Sequence, residues 1–119
     1  MAPEGWRISS VEDWRNIAKS LGGVESAGKK MKSKTEWAKK TFGDKNSGNG
    51  NNKSNFNGFP GGLRSINGSF MLLGNESVWW SKLEPSNYLW LAILKDCCDY
   101  IDEDKGLEIM GCSVRCVKE

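Results

Sequence analysis

The spacing of apolar residues changes between the two halves of this 119-residue chain. In the first half they recur every three or four residues, which is typical of one buried face of a helix. In the second half they alternate or form short continuous runs, as they do in β-strands. A segment over residues 43–62, with six Gly and six Asn, separates the two patterns. This order predicts an α+β fold, with helices before an antiparallel sheet.

A chain of this length has room for one domain with one core. We therefore expect a single domain over residues 1–119, with a helical part at 9–42, a Gly/Asn loop at 43–62 and an antiparallel sheet at 63–119. No apolar run approaches the roughly 18 residues that span a bilayer, and no signal peptide is apparent in the chain as given. The sequence thus predicts no membrane insertion.

The first helix has the strongest pattern. Either Ser9 or Ser10 can lead a capping box, because an acidic residue follows each serine three positions later. Gly22-Gly23 is expected to end the helix, since glycine adopts the left-handed cap conformation without strain. Its apolar stripe consists of Val11, Trp14, Ile17, Ala18 and Leu21.

A second, weaker helical pattern covers residues 24–31 and contains Gly28, which costs about 1 kcal/mol relative to Ala inside a helix. Beyond it, we expect Trp37 and Phe42 to anchor an irregular segment to the core. The end of the Gly/Asn loop is expected to be held by Phe56, Phe59 and Pro60.

The second half predicts several strands. Residues 63–66 and 69–73 flank Asn67-Gly68, a pair that favours a hairpin with a type I′ turn. Residues 78–81 form the next strand candidate, and the apolar run at 88–94 suits a strand buried on both faces. Shorter strands are expected at 98–101 and 112–117.

The chain contains no histidine, which excludes Ser-His-Asp triads, Cys-His dyads and imidazole-bound zinc. We expect no catalytic residues. The Lys-rich run at residues 29–40 lacks arginine, so it favours a solvated face over nucleic-acid binding. Asp102-Glu103-Asp104 is interpreted as a solvated surface turn, and the glycine that follows lies one position early for an EF-hand loop.

The four cysteines all lie in the last quarter of the chain, at Cys97, Cys98, Cys112 and Cys116. Four cysteines allow three pairings, and free buried thiols are the alternative to disulfides. Because neighbouring strand residues face opposite sides, Cys97 and Cys98 are expected to seek different partners. One adjacent pair and one Cys-x3-Cys pair do not match the usual spacing of a zinc site, so no metal is predicted.

The six tryptophans are expected to serve mainly the core, because each buries a large apolar area. Trp6, Trp14 and one member of the pair Trp79/Trp80 are predicted to be buried. The other member is the first candidate to contact a ligand. The full set of candidate ligand-binding residues is Trp80, Glu84, Asn87, Tyr88 and Trp90.

Several motifs in order resemble the Fibrobacter succinogenes major paralogous domain. They are PEGWRIS at 3–9, LGG at 21–23, AGKKMKS at 27–33, NFNGFPGGLR at 55–64, GSF at 68–70, WWS at 79–81 and GCSVRCVK at 111–118, with Trp14, Trp37 and Glu84 among them. The resemblance implies a secreted or surface-attached bacterial protein with a fold like those of C-type lectins and sulfatase-modifying factors. Two departures stand out: Ala2 replaces the cysteine common in the family at this position, which puts the family's disulfide to the Ser-Val-Arg-Cys strand in doubt, and Cys112 replaces a commoner Phe.

The resemblance also implies a function. Adhesion or glycan binding without catalysis is the expected role, with a polysaccharide or a surface protein as partner. The alternatives are a cysteine oxidase related to formylglycine-generating enzymes, in which Cys112 and Cys116 would react, and a purely structural repeat of a larger surface protein. Glu84-Pro85-Ser86-Asn87 is similar to the calcium motif of C-type lectins, but the companion Trp-Asn-Asp is missing. No cofactor is therefore predicted, with calcium as the alternative.

Overall fold

A computed structural model describes residues 2–38, 48–82 and 88–119, and the side chain of residue 82 is outside the description. Over these residues the chain is an α+β fold with two helices and antiparallel sheets. The helices are α1 (Val11–Ser20) and α2 (Val24–Met31). The strands are β1 (Trp6–Ile8), β2 (Leu63–Arg64), β3 (Phe70–Met71), β4 (Glu76–Lys82), β5 (Tyr88–Lys95), β6 (Ile101–Leu107) and β7 (Cys116–Lys118).

The central sheet has the order β4-β5-β6, with β5 in the middle. β1 pairs with β7, which joins the two ends of the described chain, and β2 pairs with β3 as a hairpin. In the described residues, β4 also receives backbone hydrogen bonds on its outer side, since Ser113 N donates to Val78 O at 2.9 Å. The predicted order of helices before an antiparallel sheet is thus confirmed.

The two faces of the central sheet bury different clusters. The face toward the helices carries Trp79, Trp90, Ala92 and Leu94, which pack against residues of α1 and α2. The opposite face carries Val78, Leu89, Leu91 and Ile93. β5 is therefore buried on both sides, as its continuous apolar run predicts.

Three aromatic rings form the centre of the helix-side cluster. Trp14, Phe56 and Trp79 have ring centroids 5.3 to 5.6 Å apart. The buried indole N–H of Trp14 donates to Ser9 Oγ at 2.9 Å and to Ser81 Oγ at 3.1 Å. The cluster joins α1, the Gly/Asn loop and β4, so three separate parts of the sequence meet in one well-satisfied core.

The start of α1 is fixed by Ser10, which forms the capping box with Asp13. Asp13 N donates to Ser10 Oγ at 3.2 Å, and Ser10 N donates to the Asp13 carboxylate at 2.8 Å. Arg7 of β1 also donates to this carboxylate, at 3.0 Å. The carboxylate thus ties the first strand to the first helix.

The described part of the Gly/Asn loop, residues 48–62, lies against the end of α2. Gly58 N donates to Met31 O at 2.8 Å and Gly50 N donates to Ser33 O at 2.9 Å. Arg115 Nη2 donates to Phe56 O at 3.0 Å. Phe56 and Pro60 are buried as predicted, whereas the prediction for Phe59 is wrong, because its side chain is exposed.

Other predictions also need correction. Trp6, predicted to be buried, is 43 % exposed, because it lies in the two-stranded β1–β7 sheet and outside the two clusters of the core. In the hairpin, Gly68 and not Asn67 has a positive φ, so the turn is not type I′. Trp37 is buried as predicted, and Phe42 lies outside the described residues.

The acidic run is the clearest wrong prediction for the second half. Residues 102–104 lie within β6, which begins at Ile101, and not in a surface turn. Backbone pairing with β5 needs no apolar side chains, and charges on an edge strand discourage pairing with other chains. The strand predicted at 98–101 is also wrong in its bounds, since β6 begins at Ile101. Of the strand predicted at 112–117, the structure shows β7 and an isolated bridge at Ser113.

We expect Gly28→Ala to lower the free energy of unfolding by about 2 kcal/mol, although alanine is the better helix former. A Cβ at this position would lie 2.7 Å from the carbonyl oxygen of Asp99 and would also collide with that of Tyr100. Urea unfolding followed by circular dichroism measures the change. Glu25→Ala, at an exposed position of the same helix, is the control and should shift the value by less than about 0.5 kcal/mol. A neutral or stabilising Gly28→Ala would contradict this close packing.

We expect Asp13→Asn to change the pH dependence of stability. Hydrogen bonds from Arg7 hold the pKa of Asp13 well below its usual value. A carboxyl group of this kind stabilises the fold above its unfolded-state pKa of about 4, and the stabilisation is lost as the pH falls. The variant should lose about 1 kcal/mol at neutral pH and show a shallower loss of stability below about pH 4. Urea unfolding at several pH values tests this, with exposed Glu12→Gln as the control, and parallel curves for Asp13→Asn and wild type would refute it.

Candidate ligand groove between the first helix and the edge strand

A groove runs along the surface between α1 and β6. It consists of two adjoining recesses of about 520 and 500 Å³, which share Arg15, Trp90 and Glu103. The remaining lining includes Val11, Trp14, Ala18, Val24, Ile101 and Lys105. We call this recess the α1–β6 groove.

Trp90 forms the floor of the α1–β6 groove. It lies in β5, opposite Ser81 of β4 and Lys105 of β6, on the face that packs against the helices. Only 6 % of the residue is exposed, so the ring is held by the core and presents a small part of its surface to the groove. The groove therefore has a rigid aromatic floor.

An ion pair joins the two walls. Arg15 Nη2 of α1 lies 3.1 Å from Glu103 Oε1 of β6, and both side chains are more than half exposed. Glu103 pairs with Ala92 in the sheet, so it lies on the same face as Trp90. The pair stands where the two recesses meet, and an exposed pair of this kind contributes at most about 1 kcal/mol to stability.

The structure separates the residues predicted to bind a ligand. Trp80 is half-buried with the cluster on the far face of the sheet, whereas Trp90 belongs to the helix side. Tyr88 is exposed at the start of β5, on the same face as Trp90 by strand alternation. Glu84 and Asn87 lie outside the described residues. Among the described members, Trp90 alone lines the α1–β6 groove.

Sequence reasoning missed the polar residues of the groove. Arg15, Glu103 and Lys105 are charged residues of the kind that covers any exposed helix or strand surface. Their meeting depends on the register of β6 against β5, which places Lys105 opposite Trp90. The acidic run at residues 102–104 would have indicated one wall of the groove only if it had been predicted to be an edge strand.

The turn between β5 and β6 brings Cys97 and Cys98 together. The structure pairs these two cysteines in a disulfide, so the expectation that they seek different partners is wrong. The reason is local: residues 96 and 97 form a turn, and the alternation of a strand does not apply there. Fully buried Lys32 holds this turn, since its Nζ donates to the carbonyls of Lys95 and Cys98, each at 3.1 Å.

The other two cysteines carry free thiols. Cys112 packs against the cluster on the far face of the sheet, and burial raises the pKa of its thiol. Cys116 lies in β7 opposite Ile8. A thiol with a raised pKa is a poor nucleophile at neutral pH, so the surroundings of Cys112 do not favour a reactive role.

The described residues contain no group of three or more Cys, Asp or Glu side chains placed to hold a metal ion. Among the helices in the described part of the chain, none has the length and apolar character needed to cross a membrane.

Comparison with known families adds one finding. A sequence model of the Fibrobacter succinogenes major domain matches residues 1–118. The chain belongs to this family. No curated protein and no solved structure matches the chain. In this Fibrobacter succinogenes major domain, two of the quoted motifs meet in space, because Arg64 N donates to Gly111 O at 2.7 Å and Gly111 N donates back to Arg64 O at 2.9 Å.

We expect the air-oxidised domain to contain a disulfide between Cys97 and Cys98 and two free thiols at Cys112 and Cys116. Titration with a chromogenic disulfide reagent in denaturant should count two thiols before reduction and four after it. In the native state Cys112 should react slowly, because it is half-buried and its pKa is raised. Cys112→Ser is the control that assigns the slow thiol. Four thiols in the unreduced, denatured protein would contradict the assignment.

Proposed function

We propose that this domain is an extracellular, non-catalytic binding module that holds a neutral polysaccharide in the α1–β6 groove. The observation that carries the proposal is the aromatic floor of Trp90 beneath a rim of paired charges. Apolar, aromatic-lined recesses with a few polar groups are the usual form of a ligand site. A C-type-lectin-like fold and a surface location belong to the same proposal, which the family resemblance supports.

The floor suits one side of a sugar ring. The C–H groups on the face of a pyranose are apolar, and they gain dispersion energy against an aromatic ring. Because Trp90 is fixed by the core, binding a sugar against it requires no ordering of the ring. The small exposed part of Trp90 allows an edge or partial contact, and Val11 and Val24 continue the apolar surface toward the two ends.

The rim suits the hydroxyl groups. Arg15 offers N–H donors and Glu103 offers carboxylate acceptors, and their mutual pair is exposed. Exchanging a weak surface pair for hydrogen bonds to sugar hydroxyls has a small net cost. A hydrogen bond to a charged group contributes about 1.5–3 kcal/mol, so two or three such bonds give measurable affinity.

The balance of charge favours a neutral ligand. Asp102, Glu103 and Asp104 line the β6 wall, against Arg15 and Lys105, and Asp102 is also paired with Lys95 at 3.0 Å. With Lys95 counted, charges of the two signs balance, so the groove offers no net attraction to uronic acids or sulfated sugars. A linear neutral glycan can pass across both recesses and contact the Arg15–Glu103 pair between them.

The test is titration of the full chain with neutral hexasaccharides built of glucose, xylose or mannose, followed by calorimetry and tryptophan fluorescence. We expect saturable binding of at least one hexasaccharide. Glu103→Gln should weaken it at least about tenfold, because a charged acceptor is lost. An acidic galacturonate hexasaccharide should bind more weakly than the neutral ligand.

The matched control is Glu108→Gln, which makes the same change at an exposed residue beside Trp80 on the other face. It should bind like wild type. Trp90→Phe, checked for a cooperative thermal transition, should weaken binding and reduce the fluorescence change. Absence of saturable binding to every neutral glycan would overturn the proposal, and loss of binding in Glu108→Gln with retention in Glu103→Gln would move the site to Trp80.

A further inference from the structure

A second groove lies beside the β2–β3 hairpin, away from the α1–β6 groove. Its volume is about 700 Å³, and it lies between the hairpin and the segment at residues 111–113. We call it the hairpin groove. Its floor is rich in glycine, and its outer wall is formed by Phe70, Met71 and Leu73.

The outer wall is unusually apolar for a surface. Phe70 is 85 % exposed and Leu73 is 80 % exposed. Met71, beside Phe70 in β3, is 46 % exposed, so all three apolar side chains of the wall are in contact with water. Phe70 and Leu73 bury little apolar area, so their contribution to the stability of this fold is small.

The floor allows close approach of another chain. Gly61 and Gly62 carry no side chain that could block the groove, and Gly62 has a φ of 68°. A Cβ at Gly62 would lie 2.8 Å from Leu73 N, so the fold also requires glycine at position 62. In the described residues β3 pairs with β2 alone, which leaves the other edge of β3 without a strand partner there.

One cation stands in the hairpin groove. Arg64 is exposed, its guanidinium lies 5.6 Å from the centroid of the Phe70 ring, and its Nε donates to Gly68 O at 3.3 Å. No carboxylate of the described residues forms an ion pair with it. Arg64 thus lines the hairpin groove beside an apolar wall, with no anionic partner among the described residues.

We propose that the hairpin groove docks an extended apolar segment of another protein that carries a carboxylate. The apolar side chains of the segment pack against Phe70, Met71 and Leu73, its backbone lies over the glycine floor, and its carboxylate pairs with Arg64. This is a protein-docking surface, independent of the α1–β6 groove.

A second copy of this chain is the less suitable occupant. The same surface of a second copy carries Arg64 and no carboxylate among its lining residues. A two-fold dimer through this surface would bring two cations into one apolar interface and leave both unpaired, which is unfavourable.

The test uses two fluorescein-labelled pools of octapeptides and fluorescence anisotropy with the full chain. In one pool Val, Leu and Phe alternate with Glu, and in the other Lys replaces Glu. We expect the Glu pool to bind at least about tenfold more tightly than the Lys pool at low salt. Arg64→Gln should remove this preference, and Phe70→Ser should abolish binding of both pools.

Matched controls are Lys53→Gln, an exposed cation elsewhere, and Ile109→Ser, an exposed apolar residue outside the hairpin groove. Both should bind like wild type. No binding of the Glu pool, equal binding of the two pools, or a preference unchanged by Arg64→Gln overturns the proposal. Concentration-dependent dimerisation that Phe70→Ser removes also overturns it, because the occupant is then a second copy. Sugar binding at the α1–β6 groove is unaffected by either result.

Discussion

The contact among Trp14, Phe56 and Trp79 is the interaction on which the rest of the structure depends. It joins a helix from the first half, the end of the Gly/Asn loop and a strand from the second half. The indole N–H of Trp14 is satisfied by Ser9 and Ser81. A small domain buries only a modest apolar area, so rings of this size supply a large share of what holds the parts together.

The same cluster explains why the α1–β6 groove is rigid at its floor and open at its rim. Trp90 belongs to the core on the helix side, and only 6 % of it is exposed. The rim consists of Arg15 and Glu103, long side chains held by one exposed ion pair. A site with a fixed apolar base and adaptable polar walls can bind a ligand with little ordering cost at the base, and it can exchange its surface pair for contacts to the ligand.

The two grooves differ in ways that separate their proposed ligands. The α1–β6 groove is lined by charges of both signs that balance once the Lys95–Asp102 pair is counted, which suits a neutral ligand rich in hydroxyl groups. The hairpin groove has an exposed apolar wall and one cation, which suits an apolar segment with a carboxylate. A surface protein that binds a glycan through one site and another protein through the other would link the two partners. Burial raises the pKa of the Cys112 thiol, which makes this residue a poor nucleophile at neutral pH.

The sequence by itself determined the order of the elements. Helical periodicity placed α1 and α2, and the continuous apolar run placed β5 with both faces buried. These predictions succeed because local periodicity reflects which side of an element is buried. The motif pattern also identified the family over nearly the whole chain.

Only the tertiary structure decided which surfaces form the grooves. The register of β6 against β5 places Glu103 and Lys105 beside Trp90, and the position of α1 then brings Arg15 to Glu103. The turn after β5 places Cys97 against Cys98, where strand alternation predicted separation. Register and turn geometry are set by contacts between residues far apart in the chain, and charged surface residues carry no local pattern that reveals them.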